Sequence, residues 1–158
     1  MTKLIATLPN WLAFILIIAS MVAGSFMYEL EILFIVCLFI WLYSLGYECN
    51  KLLPNETNLP INRLIIPLSY AGIYCVLFLY VPMDNIRTYL IPFHLLAMFC
   101  IFYSLYFVAK SIRSVELRRT AKFEEYAAVF FGLWFSPIGV WFIQNKMRRI
   151  VQTDGDNY

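Results

Sequence analysis

The sequence contains little charge. Only 14% of its 158 residues are Asp, Glu, Lys or Arg, whereas soluble domains carry about 25%. The net charge of +2 gives no strong basic field of the kind that binds nucleic acid. In place of charge, the chain has 62% hydrophobic residues and a mean hydropathy of +0.73. This composition favours a lipid environment over water, and the length suits a single domain.

Metal ligands and disulfide patterns are also sparse. The chain has one histidine and four cysteines without a C-x-x-C pair, namely Cys37, Cys49, Cys75 and Cys100. Zinc sites need clustered cysteine and histidine ligands at short spacings, and none occur here. Three of the cysteines lie within apolar runs, where a thiol packs as a small hydrophobe. We therefore expect no metal, no cofactor and no disulfide scaffold.

Catalytic motifs are lacking as well. The patterns H-E-x-x-H and G-x-S-x-G and a glycine-rich phosphate loop do not occur. The apolar runs contain no Asp or Glu except Glu31 at the edge of the second run, whereas ion-coupled transporters usually hold their ion with such residues inside the membrane. We expect a protein that is not an enzyme, and the pattern disfavours an ion-coupled transporter.

What the sequence does contain is five long apolar runs. A helix needs about 20 apolar residues to cross a bilayer, and its backbone must satisfy its own hydrogen bonds there. We predict an all-α membrane protein with four transmembrane helices and a fifth hydrophobic segment, at about residues 11–28, 31–47, 64–83, 88–109 and 126–143. An alternative for the first run is a cleaved signal peptide, because Lys3 precedes it and Val22-Ala23-Gly24 ends it.

The fifth segment contains a break near residues 137–139. Pro137 removes a helical hydrogen-bond donor, and Gly139 adds a flexible point. Each half of the segment is too short to cross a bilayer alone. Two paths remain open for it: a re-entrant pair of half-inserted helices, or a kinked full span.

The distribution of basic residues predicts the orientation. Residues 110–125 contain Lys110, Arg113, Arg118, Arg119 and Lys122. The turns around Glu29 and Asp84 contain one basic residue, Arg87. Because short loops rich in Lys and Arg stay cytoplasmic, we predict a plasma (inner) membrane protein with a cytoplasmic N-terminus and a cytoplasmic stretch at 110–125. A re-entrant fifth segment also places the C-terminus in the cytoplasm.

The same basic stretch predicts a lipid contact. Bases near a membrane surface attract anionic headgroups, and we expect such a contact at residues 110–122. The alternative is that these bases act only as a topology signal. Arg118 and Arg119 are candidate functional residues on this ground.

Small residues predict where helices approach closely. Ser20 and Gly24 are four residues apart in the first span, and Gly132 and Ser136 have the same spacing in the fifth segment. Because helices in lipid pack through small residues, we expect these faces to point into the bundle. The alternative is a seam between copies of the chain.

His94, the single histidine, lies inside the fourth apolar run. An ionisable group at membrane depth is a functional candidate, as are Pro137 and Gly139 at the break. The alternative for His94 is a neutral imidazole that donates a hydrogen bond to a backbone carbonyl of a neighbouring helix.

The C-terminal element Trp134-Phe135-Ser136-Pro137-Ile138-Gly139-Val140-Trp141-Phe142-Ile143-Gln144 resembles a motif that closes some small multi-pass membrane proteins of Bacteroidota. The resemblance covers roughly twenty of the 158 residues. It implies a bacterial inner membrane and implies no catalytic residue. The chain departs from the motif at Asn145, where a proline often follows the glutamine.

Three functions are compatible with these patterns. The favoured one is an accessory membrane subunit that binds a partner. The second is an oligomeric effector of the defence or toxin type that perturbs the membrane or forms a pore, and the third is a small channel or transporter. The expected partners are the lipid bilayer and either a second membrane protein or further copies of the chain.

Overall fold

A computed structural model describes residues 1–27, 30–53, 60–80 and 87–155. Within these ranges the secondary structure is helical and contains no strand, which confirms the prediction of an all-α protein. The helices are α1 (Thr2–Ala6), α2 (Asn10–Phe26), α3 (Glu31–Leu52), α4 (Asn62–Tyr80), α5 (Arg87–Leu117), α6 (Phe123–Trp134) and α7 (Ser136–Gly155). The predicted turns around Glu29 and Asp84 lie outside the described residues.

Three helices are long and apolar enough to cross a membrane. These are α3, α4 and residues Tyr89–Leu117 of α5, with mean hydropathies of 2.0, 1.6 and 1.9. The 19 residues of α4, the shortest of the three, extend about 28 Å, close to the thickness of a hydrocarbon core. The first predicted span forms α2, which is apolar but has only 17 residues.

The helices α2 to α5 pack as neighbours that alternate in direction. At the α2–α3 turn, a Cβ added to Gly24 would lie 3.0 Å from the Cα of Glu31, so the two backbones are close there. At the opposite end of the bundle, Leu64 and Val108 both contact the surface of α3 at Gly46. Short connections and these close contacts bring α3, α4 and α5 together in one bundle.

The helix α5 continues past its apolar run and ends at Leu117. Arg118 follows with φ of 50°, which is the left-handed region. The amide of Arg119 donates to the carbonyl of Ser114, and the amide of Arg118 donates to that of Val115. This pair of hydrogen bonds is a Schellman motif, in which glycine usually occupies the left-handed position.

The predicted break in the fifth segment lies at Phe135, between α6 and α7. Pro137 is in the first turn of α7, where its missing N–H would have no intrahelical acceptor in any case. Trp134 stacks on Phe102, with ring centroids 4.1 Å apart. Since Phe102 is the midpoint of α5, the hairpin of α6 and α7 reaches only halfway along the bundle.

The hairpin therefore divides the bundle into two parts. The clamped half comprises α1, α6, α7 and residues 10–17, 41–53, 60–71 and 104–117. The open half comprises residues 18–26, 30–40, 72–80 and 87–103. Nearly all buried side chains of the described residues lie in the clamped half, and Ser20 and Ala97 are the buried residues of the open half.

Candidate functional site

A buried glutamine occupies the centre of the clamped half. Gln144 of α7 has no exposed surface. Its side-chain nitrogen Nε2 lies 2.9 Å from the carbonyl of Ile5 and 3.1 Å from those of Ala6 and Leu8. These carbonyls belong to the end of α1 and the turn after it, where backbone donors are few, and the carbonyl of Ile5 also accepts from the amide of Leu8. The two N–H groups of the Gln144 amide supply additional donors there.

The other end of the same amide binds α3. Trp41 is buried, and its indole Nε1 donates to Oε1 of Gln144 at 2.8 Å. The side chain of Gln144 thus joins α1, α3 and α7 through hydrogen bonds. We call Gln144, Trp41 and the carbonyls of Ile5, Ala6 and Leu8 the amide clamp.

A second set of contacts holds the start of α1. The hydroxyl of Thr2 donates to the carboxylate of Glu48, which is only 6% exposed. The ammonium of Lys51 lies 3.7 Å from the same carboxylate. The short helix α1 is therefore bound at its start by Glu48 and at its end by Gln144. Its position against α3 does not depend on its own weak helical stability.

Sulfur contacts extend the interface between α3 and α7. Cys49 and Met147 are both fully buried, and Sγ of Cys49 lies 3.2 Å from Sδ of Met147. Trp141, one turn before Gln144, packs edge-on against Phe14 of α2. The polar clamp is therefore surrounded by apolar and sulfur-containing side chains that exclude water from its hydrogen bonds.

Close backbone contact joins α6 to α7. A Cβ added to Gly139 would lie 1.6 Å from the carbonyl oxygen of Gly132. Only glycine fits at position 139, whereas a Cβ at Gly132 would meet Ile143 at an ordinary 3.4 Å. Gly132 and Ser136 lie on different helices, so they do not form the four-residue face expected from their spacing. The break at Phe135 separates them.

An ionic cluster connects the far ends of the hairpin to α5. The ammonium of Lys146 lies 2.9 Å from the carboxylate of Glu116, which also pairs with Arg113. The guanidinium of Arg113 donates in addition to the carbonyl of Glu125 at 3.0 Å. After its turn at Phe135, the chain has therefore come back to the level at which α6 began.

Glu125 stabilises the start of α6. Arg119 pairs with its carboxylate, and the amide of Lys122 donates to it at 2.7 Å. The hydrogen bond from Arg119 is the main reason that the pKa of Glu125 is lowered, and the bond from Lys122 adds to the effect. The same hydrogen bond raises the pKa of Arg119. The candidate residue Arg119 is thus bound within the protein.

His94 lies in the open half and is exposed. Its Nδ1 is 3.5 Å from the hydroxyl of Tyr74, and its ring packs near those of Tyr74 and Phe78. The contact is with a tyrosine side chain of α4, not with a backbone carbonyl as the alternative supposed. Ser20 is buried, and its hydroxyl donates to the carbonyl of Ile17 in its own helix.

The sequence patterns do not predict the amide clamp. Gln144 belongs to the C-terminal element whose resemblance implies no role for it, and Trp41 and Glu48 belong to no recognised motif. The available signal is a glutamine one turn after Trp141, just past the end of the fifth apolar segment. Its partner Trp41 is 103 residues away, so no local pattern identifies the pair.

The predicted site residues lie in three separate places. Gly139 and Pro137 are at the hairpin turn, Arg118 and Arg119 are at the end of α5, and His94 is in the open half. Within the described ranges, no group of three or more His, Cys, Asp or Glu side chains could hold a metal ion. No protein-family model, curated protein or solved structure matches this chain.

Proposed function

We propose that the chain is a non-enzymatic, multi-pass membrane subunit that binds a second membrane protein through the open half of α4 and α5. The observation that carries this proposal is the outward position of His94. Ionisable residues within membrane segments almost always face the interior of a bundle or a water-filled cavity, because lipid cannot hydrogen-bond to them. In this chain the imidazole is exposed on the outside of the bundle.

The surroundings of His94 support a protein partner rather than lipid. His94 lies seven residues into α5, or about 10 Å along its axis. Tyr74 occupies the same face, and its hydroxyl is the polar contact of His94. Side chains three residues before and four residues after His94 on α5 are exposed too, namely Ile91 at 55% and Met98 at 40%. A partner helix with a donor or acceptor opposite His94 would satisfy the imidazole and cover these side chains.

The proposal includes a topology. The four apolar helices α2 to α5 cross an inner membrane, the N-terminus and residues 110–125 are cytoplasmic, and α6 with α7 forms a re-entrant hairpin that returns the C-terminus to the cytoplasm. The ion pair between Lys146 and Glu116 supports the re-entrant path. A full crossing would separate these two residues by the thickness of the bilayer.

The mass of the protein extracted from its native membrane tests whether the chain binds a partner. The chain is extracted directly into polymer nanodiscs, and its mass is measured by native mass spectrometry. We expect a defined complex heavier than the 18.6 kDa chain that is lost in His94→Leu. The matched control is Phe93→Leu, which changes an exposed neighbour of similar depth and should keep the complex.

Each outcome decides between functions. A monomer in the native discs would overturn the partner-binding function. An integer multiple of the mass of the chain would replace the partner by further copies, and would favour the self-assembling effector. Retention of the complex in His94→Leu would show that the partner docks elsewhere.

Cysteine labelling tests the topology separately. In a variant without native cysteines, Asp154→Cys is treated with an impermeant maleimide from outside intact cells, and Asn85→Cys serves as the control for the outer side. We expect labelling at position 85 and none at position 154 until the cells are lysed. Labelling of position 154 in intact cells would contradict the re-entrant path without affecting the partner experiment.

A further inference from the structure

Several bases at the clamped end of the bundle are already bound to carboxylates. Arg113 and Lys146 pair with Glu116, and Arg119 pairs with Glu125. These ion pairs neutralise bases in and beside the stretch that the sequence assigns to lipid contact. An anionic headgroup would have to compete with protein carboxylates there. The lipid contact is therefore better sought at bases without such partners.

Arg63 and Lys110 are two such bases. Arg63 is exposed at the start of α4. In the part of the chain that the structure describes, neither residue forms an ion pair. The ammonium of Lys110 instead donates to the hydroxyl of Tyr106 at 3.1 Å, and it lies 5.5 Å from the centre of that ring. This contact holds Lys110 in place while leaving its charge uncompensated.

An apolar groove has one of these bases, Arg63, in its lining. It lies between α4 and α5, has a volume of about 330 Å³, and is lined by Asn62, Arg63, Ile66, Pro67, Phe99, Cys100 and Tyr103. Ile66 is 70% exposed and Phe99 is 66% exposed, so the groove opens sideways toward lipid. Its volume is at the lower end of the range of about 300–1,000 Å³ that is usual for ligand sites. That space suits a single hydrocarbon chain better than a folded partner.

The groove and Lys110 lie on one stripe of α5. Phe99, Tyr103, Tyr106 and Lys110 have the spacing i, i+4, i+7, i+11, which places them on one helical face. From Tyr103 in the groove to Lys110 the helix rises about 10 Å. The stripe therefore changes from apolar to cationic toward the clamped end. An amphipathic lipid has the same order of groups along its length.

We propose that the α4–α5 groove binds one acyl chain of an anionic phospholipid, whose phosphate is held by Arg63 and Lys110. A guanidinium binds phosphate oxygens in a bidentate fashion, and basic pockets between membrane helices are a recognised way of binding anionic headgroups. A zwitterionic lipid can fill the same groove with its chain. It gains less from the two cations, because its own cationic group offsets the phosphate.

Lipid retention measured by native mass spectrometry tests the site. Protein purified in detergent is exposed to equal amounts of phosphatidylglycerol and phosphatidylcholine, with inorganic phosphate in a third arm. We expect phosphatidylglycerol to bind about 30-fold more tightly than phosphatidylcholine. That ratio corresponds to about 2 kcal/mol from two bases near a membrane surface. Inorganic phosphate should not displace the lipid, because it lacks the acyl chain.

Three variants connect the result to the groove. Arg63→Gln combined with Lys110→Gln should abolish the preference for the anionic lipid. Lys3→Gln combined with Arg148→Gln removes the same charge elsewhere and should leave the preference unchanged. Ile66→Trp fills the groove while keeping both bases, and it should weaken the retention of both lipids. This last variant tests the site even if the double variant at positions 63 and 110 does not fold.

Several results would overturn the proposal. These are equal retention of the two lipids by the native chain, an equal loss of preference in the two double variants, and unchanged retention in Ile66→Trp. Displacement of the lipid by inorganic phosphate alone would show that the bases bind free anions and that the groove has no part in the binding.

Discussion

The clamped half and the open half consist largely of the same helices, α2 to α5, yet different forces hold them. In the clamped half, a glutamine, an indole and buried carboxylate contacts connect helices that are far apart in sequence. In the open half, α4 and α5 present large apolar side chains to the outside, such as Leu77 and Leu96. Apolar contact alone gives little net association in lipid, because lipid tails solvate the same side chains. Polar and close backbone contacts therefore decide which half is fixed.

The largest effect that we predict is at the hairpin of the clamped half. Gly139→Ala places a Cβ where the carbonyl of Gly132 now lies, so α6 and α7 must separate. We expect a loss of about 3 kcal/mol in unfolding free energy, at the upper end of the range for overpacking. Gly132→Ala adds the same methyl group where it meets only Ile143 at 3.4 Å. Thermal unfolding in detergent should give a lower melting temperature for Gly139→Ala than for Gly132→Ala. Equal melting temperatures would mean that the close crossing of α6 and α7 does not exist.

The amide clamp should give the next largest effect. Gln144→Leu removes the acceptor of the Trp41 indole and the two N–H donors that three carbonyls share, of which the carbonyl of Ile5 keeps the amide of Leu8. An unsatisfied buried polar group costs about 1–3 kcal/mol, and partial rearrangement reduces the sum. We expect a loss of about 2 kcal/mol in unfolding free energy, and faster amide exchange in α1 but not in α4.

The smaller change Trp41→Phe serves as the comparison for the clamp. It removes one hydrogen bond but leaves the three carbonyls bound to Gln144, so it should cost less than Gln144→Leu. If the two variants were equally stable, or if amide exchange in α1 were unchanged in Gln144→Leu, the clamp would not be what fixes α1.

The end of α5 should show a smaller effect. Arg118 has a left-handed backbone conformation, which costs a residue with a Cβ about 1 kcal/mol more than glycine. Arg118→Gly and Arg118→Ala both remove the side chain, so the difference between them isolates the backbone conformation. We expect the glycine variant to be more stable by about 1 kcal/mol. Equal stabilities would contradict the Schellman ending of α5.

The smallest effect should be at the exposed ion pair of Glu125. Because the pKa of this carboxyl is lowered by folding, its stabilising contribution is present above the unfolded pKa of about 4.3 and is lost as the pH falls through the folded value. We expect Glu125→Gln to lower the melting temperature slightly at pH 7. At pH 3 the difference from the native chain should be smaller. A melting-temperature difference that grew on acidification would contradict a lowered pKa of Glu125 in the folded protein.

Hydrophobic runs were enough to predict the all-α class and the approximate bounds of the three long helices. The apolar run ends at about residue 109, whereas α5 continues to Leu117 through a stretch that mixes polar and apolar residues. Pro137 and Gly139 predict the break near residues 137–139, whereas α6 ends at Trp134 and the break lies at Phe135. A proline is tolerated in the first turn of a helix, so it marks the start of α7 and not the point of interruption.

The sequence alone does not show which bases of residues 110–125 are available for lipid contact. Local spacing shows five bases between residues 110 and 122, but it does not show which of them a carboxylate will neutralise. The carboxylate of Glu116 forms ion pairs with both Arg113 and Lys146, and Lys146 lies on a different helix, α7. Contacts of this kind depend on how distant segments pack, as does the pair of Trp41 and Gln144.

The difference between the halves is tested most directly by one pair of matched substitutions. Leu45 is completely buried in the clamped half, and Leu95 is 61% exposed in the open half. Unfolding free energies of Leu45→Ala and Leu95→Ala, measured in the same detergent, compare the two halves with identical chemistry. We predict a loss of at least about 2 kcal/mol for Leu45→Ala, as for other buried leucines, and less than about 0.5 kcal/mol for Leu95→Ala. Equal losses would contradict the division of the bundle into a packed half and an open half.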